Sequence, residues 1–428
     1  MKSNNAEQGI QMEKTKVLHI LNISVFLQTQ LFLLPILFLF YQHCGLSVGD
    51  FFLFQGIFSL AGLLFEIPMG YLGDIFPKRN ILILSYSFFI IRLLLWIFFA
   101  RYGYWILLVG EILYAAQKAS FSGTSDSYMY EYLSYTGSSQ KMLKKYGKMN
   151  FCMSIGAAIA SLFGAFLYQT VSKWTLAHYH NDYGFLILMG LELILNTTAL
   201  GLLFFLPEVP LTDKKSRSLT QTYLDFFHII AQTVRNNKIR WHILYSGLLA
   251  ATTVVFVWTF QPTMKILLIP VSMYGVIYFI NHTFRGLSSF LLDKIRQLFS
   301  FSVLSILTFI LFVACFIFSF TILNIHSPSV WINLSYFVFV CFTIGLQVCF
   351  LLSHVTRLHT LIPLNSRATI SSINTAVGRL YASLFLIFLK FLTGNFSLQI
   401  SLLICLGLFL IAAIPLKFAY SISKSEED

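Results

Sequence analysis

The chain has 428 residues, of which 57% are hydrophobic and only 11% charged, and it carries a formal net charge of +12. This is more apolar surface than a soluble core can hide, so composition excludes an ordinary water-soluble domain and points to a chain that crosses the bilayer many times. The positive balance does not imply a nucleic-acid partner. Its basic residues lie in short segments between apolar runs, which is the pattern of membrane topology.

In chain order, apolar stretches of about 20 residues, the length that spans a bilayer, fall at 17–40, 50–72, 81–100, 105–127, 148–171 and 184–206. A second set follows at 241–263, 271–292, 299–324, 331–354, 370–391 and 397–420. The expected class is therefore an all-α polytopic membrane protein with 12 transmembrane helices in two six-helix halves. The domain reading is a tail at 1–16, an amino half at 17–206, a linker at 207–240 bounded by Pro207 and Pro210, a carboxyl half at 241–420 and a tail at 421–428. No small-x-small cleavage site accompanies the first apolar run, which predicts an uncleaved helix.

With both termini in the cytoplasm, 21 of the 29 Lys and Arg residues fall on that side. Cytoplasmic segments carry such an excess, so this orientation in an inner (plasma) membrane is expected. Within the linker, Leu219, Tyr223, Phe226, Phe227, Ile230 and Val234 recur at helical spacing among polar neighbours. They predict an amphipathic helix on the inner membrane surface. Six Cys residues occur singly and predict free thiols.

Four motifs carry a family resemblance. The turn between the second and third spans reads Glu66-Ile-Pro-Met-Gly70-Tyr-Leu72-Gly73-Asp74-Ile75-Phe-Pro77-Lys78-Arg79. The fourth span ends in Ser122-Gly-Thr-Ser-Asp126-Ser-Tyr-Met-Tyr130-Glu131-Tyr-Leu133, and the eleventh opens after Ile362-Pro363-Leu-Asn-Ser-Arg367-Ala368-Thr369. Gly45-Leu-Ser with Asp50 precedes the second span. Together these resemble a bacterial branch of the major facilitator superfamily. The first motif departs from the family pattern at Ile75, where Arg is usual, and at Pro77, where the second Gly is usual. The resemblance implies that Gly70, Gly73, Asp74, Lys78, Arg79, Asp126, Glu131 and Arg367 form a gate on the cytoplasmic side. It also implies alternating access around a site near the membrane midplane.

Ionisable groups inside spans are costly and must face a partner or a wet cavity. On the fourth span Glu111 and Lys118 lie two turns apart on one face with Tyr114 between them. Two readings stand: an intrahelical or water-bridged neutral pair, or a protonation site at Glu111 with Lys118 as its counter-charge or as an anchor for an anionic substrate group. The span acids Glu66, Glu111 and Glu192 all belong to the amino half, so proton handling is expected there, with Glu111, Lys118 and Glu192 as candidates. Arg92 and Glu192 read mainly as structural groups on supporting helices. The resemblance places the first, fourth, seventh and tenth spans around the cavity. It thereby makes Asn22, Gln28, Tyr114, Trp258, Gln261 and Gln347 candidates for substrate contact, with packing between helices as the alternative, while Arg285 and Arg379 on neighbouring helices read first as hydrogen-bonding groups between the halves and second as substrate contacts.

His178, His180 and Asp182 alternate in one outer loop, and a solvated loop is expected there in preference to a metal site. No cofactor, resident metal or nucleic acid is expected, and no catalytic motif such as His-Glu-x-x-His or Gly-x-Ser-x-Gly is present in the sequence. The expected partners are a small-molecule substrate, a proton or other coupling ion, and the lipid bilayer, with the protein acting as a monomer. The functional expectation is proton-coupled efflux of a small organic solute. Proton-coupled uptake of a nutrient or metal chelate is the alternative, and a non-transporting sensor is the rival from another class.

Overall fold

The computed structural model describes residues 16–136, 142–209, 235–325, 329–360 and 367–425, together with 221, 224, 228, 231 and 233. The six residues expected to form the amphipathic linker helix lie outside these. All regular structure among the described residues is helical. The helices are α1 (Lys16–Gln28), α2 (Leu37–His43), α3 (Val48–Ile75), α4 (Lys78–Phe99), α5 (Tyr104–Phe121), α6 (Thr124–Tyr135), α7 (Met142–Tyr179) and α8 (Gly184–Leu203). They continue as α9 (Asn237–Ile266), α10 (Val271–Phe290), α11 (Leu292–Leu298), α12 (Phe301–Ile325), α13 (Val330–Thr360), α14 (Arg367–Asn395) and α15 (Leu398–Ser425). Helices are the economical solution for such a chain, because in lipid every backbone N–H and C=O needs an internal partner.

Among the described residues, nine helices are long and apolar enough to cross a membrane. The other three expected spans take different forms, each for a legible reason. The first is broken: α1 stops at Gln28, a 3-10 turn covers Leu34–Ile36, and α2 restarts at Leu37. Pro35 has no N–H to continue the ladder. The fourth ends at Phe121 because Gly123, at φ +79°, turns the chain before α6 begins. Glu111, Gln117 and Lys118 also lower the apolar character of α5. The eighth, α10, carries Asn281, His282 and Arg285, and the expected loop after it is the short helix α11.

The chain forms two compact units, Met1–Pro35 with Leu64–Leu219, and Ile36–Leu63 with Thr220–Asp428. The polypeptide passes from one to the other inside the break of the first span and again within α3. Pro68 lies inside α3 and cannot donate to the Leu64 carbonyl, so the second crossing also falls where the helical ladder lacks a bond.

In the first unit, α4 packs on α5 and α8. An apolar cluster joins Leu21 and Val25 of α1, Leu82 and Tyr86 of α4, Met129 of α6 and Leu203 at the end of α8. In the second, α9 packs on α13, α14 and α15, while α12 packs on α13 and α15.

One close approach fixes the α4–α5 hairpin. A Cβ on Gly110 would lie 2.0 Å from the Trp96 indole nitrogen, so only a glycine admits that ring. Gly110→Ala is expected to lower stability by about 1–3 kcal/mol, the range for overpacking a filled core. Gly190→Ala on α8, where nothing lies within 4 Å, should be neutral or better. The thermal midpoints of the two variants in detergent check the contrast.

Candidate functional site

The first unit gathers its buried charges on α4, α5 and α8. Arg92 Nη2 lies 3.2 Å from Glu111 Oε1, with both side chains almost fully buried. The guanidinium is held between aromatic faces, 4.0 Å from the Trp96 ring centroid and 4.3 Å from that of Tyr114. This is a cation sandwiched and ion-paired at once. Lys118, the expected counter-charge of Glu111, has its Nζ 5.2 Å from the Tyr114 ring on the same helix. The structure therefore gives Glu111 a partner on α4 that the intrahelical reading did not contain. The signal was in the sequence: Arg92 and Glu111 stand at similar distances on either side of the Gly103 turn, so a hairpin brings them to one depth.

Glu192, which is 1% exposed, reaches from α8 to the break between α1 and α2. Its Oε1 accepts a hydrogen bond from the backbone N–H of Leu33 at 2.7 Å, and the Phe32 N–H also donates to it. A carboxylate thus takes up donors that a continuous helix would have satisfied itself. Arg92 lies within electrostatic reach of this carboxylate as well. From α7, Gly164 lies so near that a Cβ there would sit 2.2 Å from the Phe32 carbonyl oxygen. The broken segment is seated against bare backbone on one side and a carboxylate on the other. Sequence reasoning gave Glu192 as a proton candidate and a structural group, but it missed the broken helix that defines its surroundings.

On the second unit's side of the break, Gln261 of α9 plays the matching part. Its Oε1 accepts from the Phe38 N–H at 2.7 Å and its Nε2 donates to the Tyr278 hydroxyl at 2.9 Å. Gln261 is therefore spent on protein groups. Trp258, one turn earlier, meets Phe51 edge to face at 5.9 Å. Arg379 of α14 lies against Gly62 of α3, where a Cβ would be 2.9 Å from its Nη1. Arg285 is on an exposed face of α10. Further along the same unit, Asp50 accepts from Lys390 and from the Ser47 hydroxyl.

Several buried amides lack a protein hydrogen-bond partner for at least one side-chain atom. They are Asn22 and Gln28 on α1, Gln117 on α5, Gln55 on α3, Asn281 on α10 and Gln347 on α13. Of these, Asn22, Gln28 and Gln347 are expected substrate contacts. Buried polar atoms normally find a partner, so these amides stand out as groups that the described protein atoms leave unsatisfied.

The motif residues of the first unit form a network at the ends of α3, α4, α6 and α8. Lys78 donates to the Gly73 carbonyl, and its Nζ is 4.0 Å from Glu131. Arg79 donates to the Leu206 carbonyl at 3.1 Å and pairs with Glu208. Tyr128 donates to the Pro207 carbonyl at 2.9 Å. Burial, helped by neighbouring Tyr132, pushes its phenol well above its usual value, so it remains a donor. Asp126 sits in the first turn of α6, where the helix dipole favours an acid. Gly70 and Gly73 lie within α3, and a Cβ on Gly70 would meet nothing within 4 Å. The side chains of Asp74 and Arg367 lie outside the described residues.

The alternating His178, His180 and Asp182 do not converge. His178 Nδ1 contacts the Trp174 carbonyl, and Asp182 accepts from Tyr168 and from the Gly184 N–H. Among the described residues, no three His, Cys, Asp or Glu side chains come together as a metal site.

Comparison with known proteins gives one family and a set of folds. Residues 18–386 match the model of the Major Facilitator Superfamily. No curated protein matches the chain. The fold is similar to that of a mutant of the nucleoside transporter NupG, with 13% identity and a TM-score of 0.73 over 94% of this chain and 100% of that one. It is also similar to a D-xylose–proton symporter, with 15% identity and a TM-score of 0.70 over 96% and 97%. A third likeness is to the POT family transporter PepTSo, with 12% identity and a TM-score of 0.68 over 96% and 98%.

Proposed function

The chain belongs to the Major Facilitator Superfamily, and from that membership we propose a secondary active transporter that exports a small hydrogen-bonding organic solute in exchange for protons. The observation that carries the proton part is the Glu192 carboxylate on the broken first helix. Protonation there changes the charge facing the Leu33 and Phe32 N–H groups, and so changes how strongly the segment crossing between the two units is held. Glu111, by contrast, is tied to Arg92. It serves in this reading to fix the cation that faces Glu192.

The hydrogen-bonding character of the solute follows from the buried amides of Asn22, Gln28 and Gln117 in the first unit, each with side-chain atoms left over after protein bonds are counted. A solute that supplies those bonds is favoured over a plain hydrocarbon. The excess of basic residues in the segments next to the helix ends favours an inner (plasma) membrane protein with both termini inside. The network of Gly73, Lys78, Arg79 and Glu131 in the first unit is the cytoplasmic gate in this reading, with Asp74 and Asp126 as its further members.

Uptake driven by protons is the second reading, because the D-xylose–proton symporter moves a solute together with a proton on a similar fold. Inside-out and right-side-out vesicles with an imposed proton gradient separate the two. Export predicts that a compound from a polar library accumulates in inside-out vesicles and is lost on adding an uncoupler. Accumulation confined to right-side-out vesicles would replace export by uptake. Accumulation in neither orientation, across a broad library, would favour a transporter-shaped sensor.

A further inference from the structure

Where α11 joins α12, the second unit contains a cavity of about 460 Å³. Its walls include Arg296 of α11, Phe301 and Leu304 from the first turn of α12, and Ser353, Thr356 and Arg357 from the last turns of α13. Two guanidinium groups thus face one space of a size that holds small ligands. The planar fork of Arg suits an oxyanion, which it binds through paired N–H groups. The start of α12, a helix of 25 residues, adds the positive end of its dipole to the same region.

Of the two hydroxyls, that of Ser353 distinguishes a built site from a basic surface, while that of Thr356 is already spent. Thr356 donates its proton to the Leu352 carbonyl at 2.9 Å, so its oxygen is left as an acceptor. Ser353 is only 5% exposed, and its Oγ has no hydrogen-bond partner. It lines the cavity as a donor still to be used. Arg357 is positioned by Phe301, whose ring centroid lies 5.5 Å from the guanidinium carbon.

The charged residues lining the cavity, Arg296 and Arg357, are both cations. Among the described residues of the second unit the carboxylates are Asp50 and Asp293. Asp50 is paired with Lys390, and Asp293 is not among the residues lining the cavity. On α11, Asp293 and Lys294 stand side by side and offset one another, which leaves Arg296 as the helix's net charge.

We propose that this cavity binds a phosphate-type oxyanion, held between Arg296 and Arg357 with the Ser353 hydroxyl as a further donor. The same chemistry is offered by the headgroup of an anionic phospholipid and by a soluble phosphate compound. The inference stands apart from the transport reading, since it uses none of the residues assigned to coupling or solute binding.

The test uses the full chain purified in a neutral detergent, with the thermal midpoint as readout. Sodium phosphate is titrated against sodium chloride at matched ionic strength, and dioctanoyl phosphatidylglycerol is titrated against dioctanoylglycerol. A saturable rise with phosphatidylglycerol and none with dioctanoylglycerol is expected. The half-saturating concentration should rise at least about tenfold in Arg357→Gln and in Arg296→Gln, and about threefold in Ser353→Ala. An equal response to inorganic phosphate assigns the site to soluble phosphate compounds, and a response to the lipid alone assigns it to the headgroup. No saturable response to either probe overturns the proposal, as does a response that both Arg→Gln variants leave unchanged. Arg296 is exposed, so its variant keeps the test readable even if Arg357→Gln fails to fold.

Discussion

Replacing Glu192 by Gln is expected to abolish proton-driven accumulation while leaving solute exchange across the membrane within about twofold of the parent. The amide oxygen of Gln still accepts from the Leu33 N–H, now seen at 2.7 Å, so the broken helix keeps its support. What the substitution removes is the ability to change charge. Glu192→Leu should behave differently, because it also removes the acceptor. Leaving a buried backbone donor unsatisfied costs roughly 1–3 kcal/mol, so this variant should lose thermal stability as well as transport. Counterflow of labelled solute, beside gradient-driven uptake, separates the two outcomes. Retained accumulation in Glu192→Gln would move coupling to another group.

The second large effect concerns the Arg92–Glu111 pair. Arg92→Gln removes the ion-pair partner of the Glu111 carboxylate at a site where it is 1% exposed. Removing one partner of a buried pair typically costs about 3–5 kcal/mol. Little folded protein is therefore expected from this variant. Glu111→Gln should be milder, since Trp96 and Tyr114 still face the guanidinium, and such contacts contribute up to about 2 kcal/mol when desolvated. The double variant Arg92→Gln with Glu111→Gln removes both charges and should recover most of the folded yield. Size-exclusion profiles of the three variants give the order. A double variant no better than Arg92→Gln alone would show that the charge balance is not what holds α4 to α5.

Much of the architecture was legible because lipid imposes simple rules. Nine of the expected spans are long apolar helices, as continuous runs of hydrophobic residues require. The three that differ do so where a local signal competed with the run: Pro35 in the first, Gly123 after the fourth, and the polar group of Asn281, His282 and Arg285 in the eighth. Reading hydropathy alone smooths over all of them. The site was less legible for a related reason. Helical spacing reveals neighbours on one helix, and it led to Glu111 with Lys118. The partner found, Arg92, lies on another helix 19 positions away. Glu192 was visible as a charge, but its hydrogen bond to Leu33 spans 159 positions and depends on a break that periodicity does not encode. Gly110 and Gly164 likewise look like ordinary helix glycines until the packing partner is known.

The most direct test of the account asks which carboxyl binds the proton, and it does not depend on knowing the solute. Infrared difference spectra of the purified protein, recorded as the pH is stepped, report the protonated carboxyl band of buried acids. A titrating band is expected that is present in the parent and in Glu111→Gln and is missing in Glu192→Gln. A band that survives in Glu192→Gln and disappears in Glu111→Gln would contradict this expectation, and would make the Arg92 pair, not the broken helix, the place where protons act.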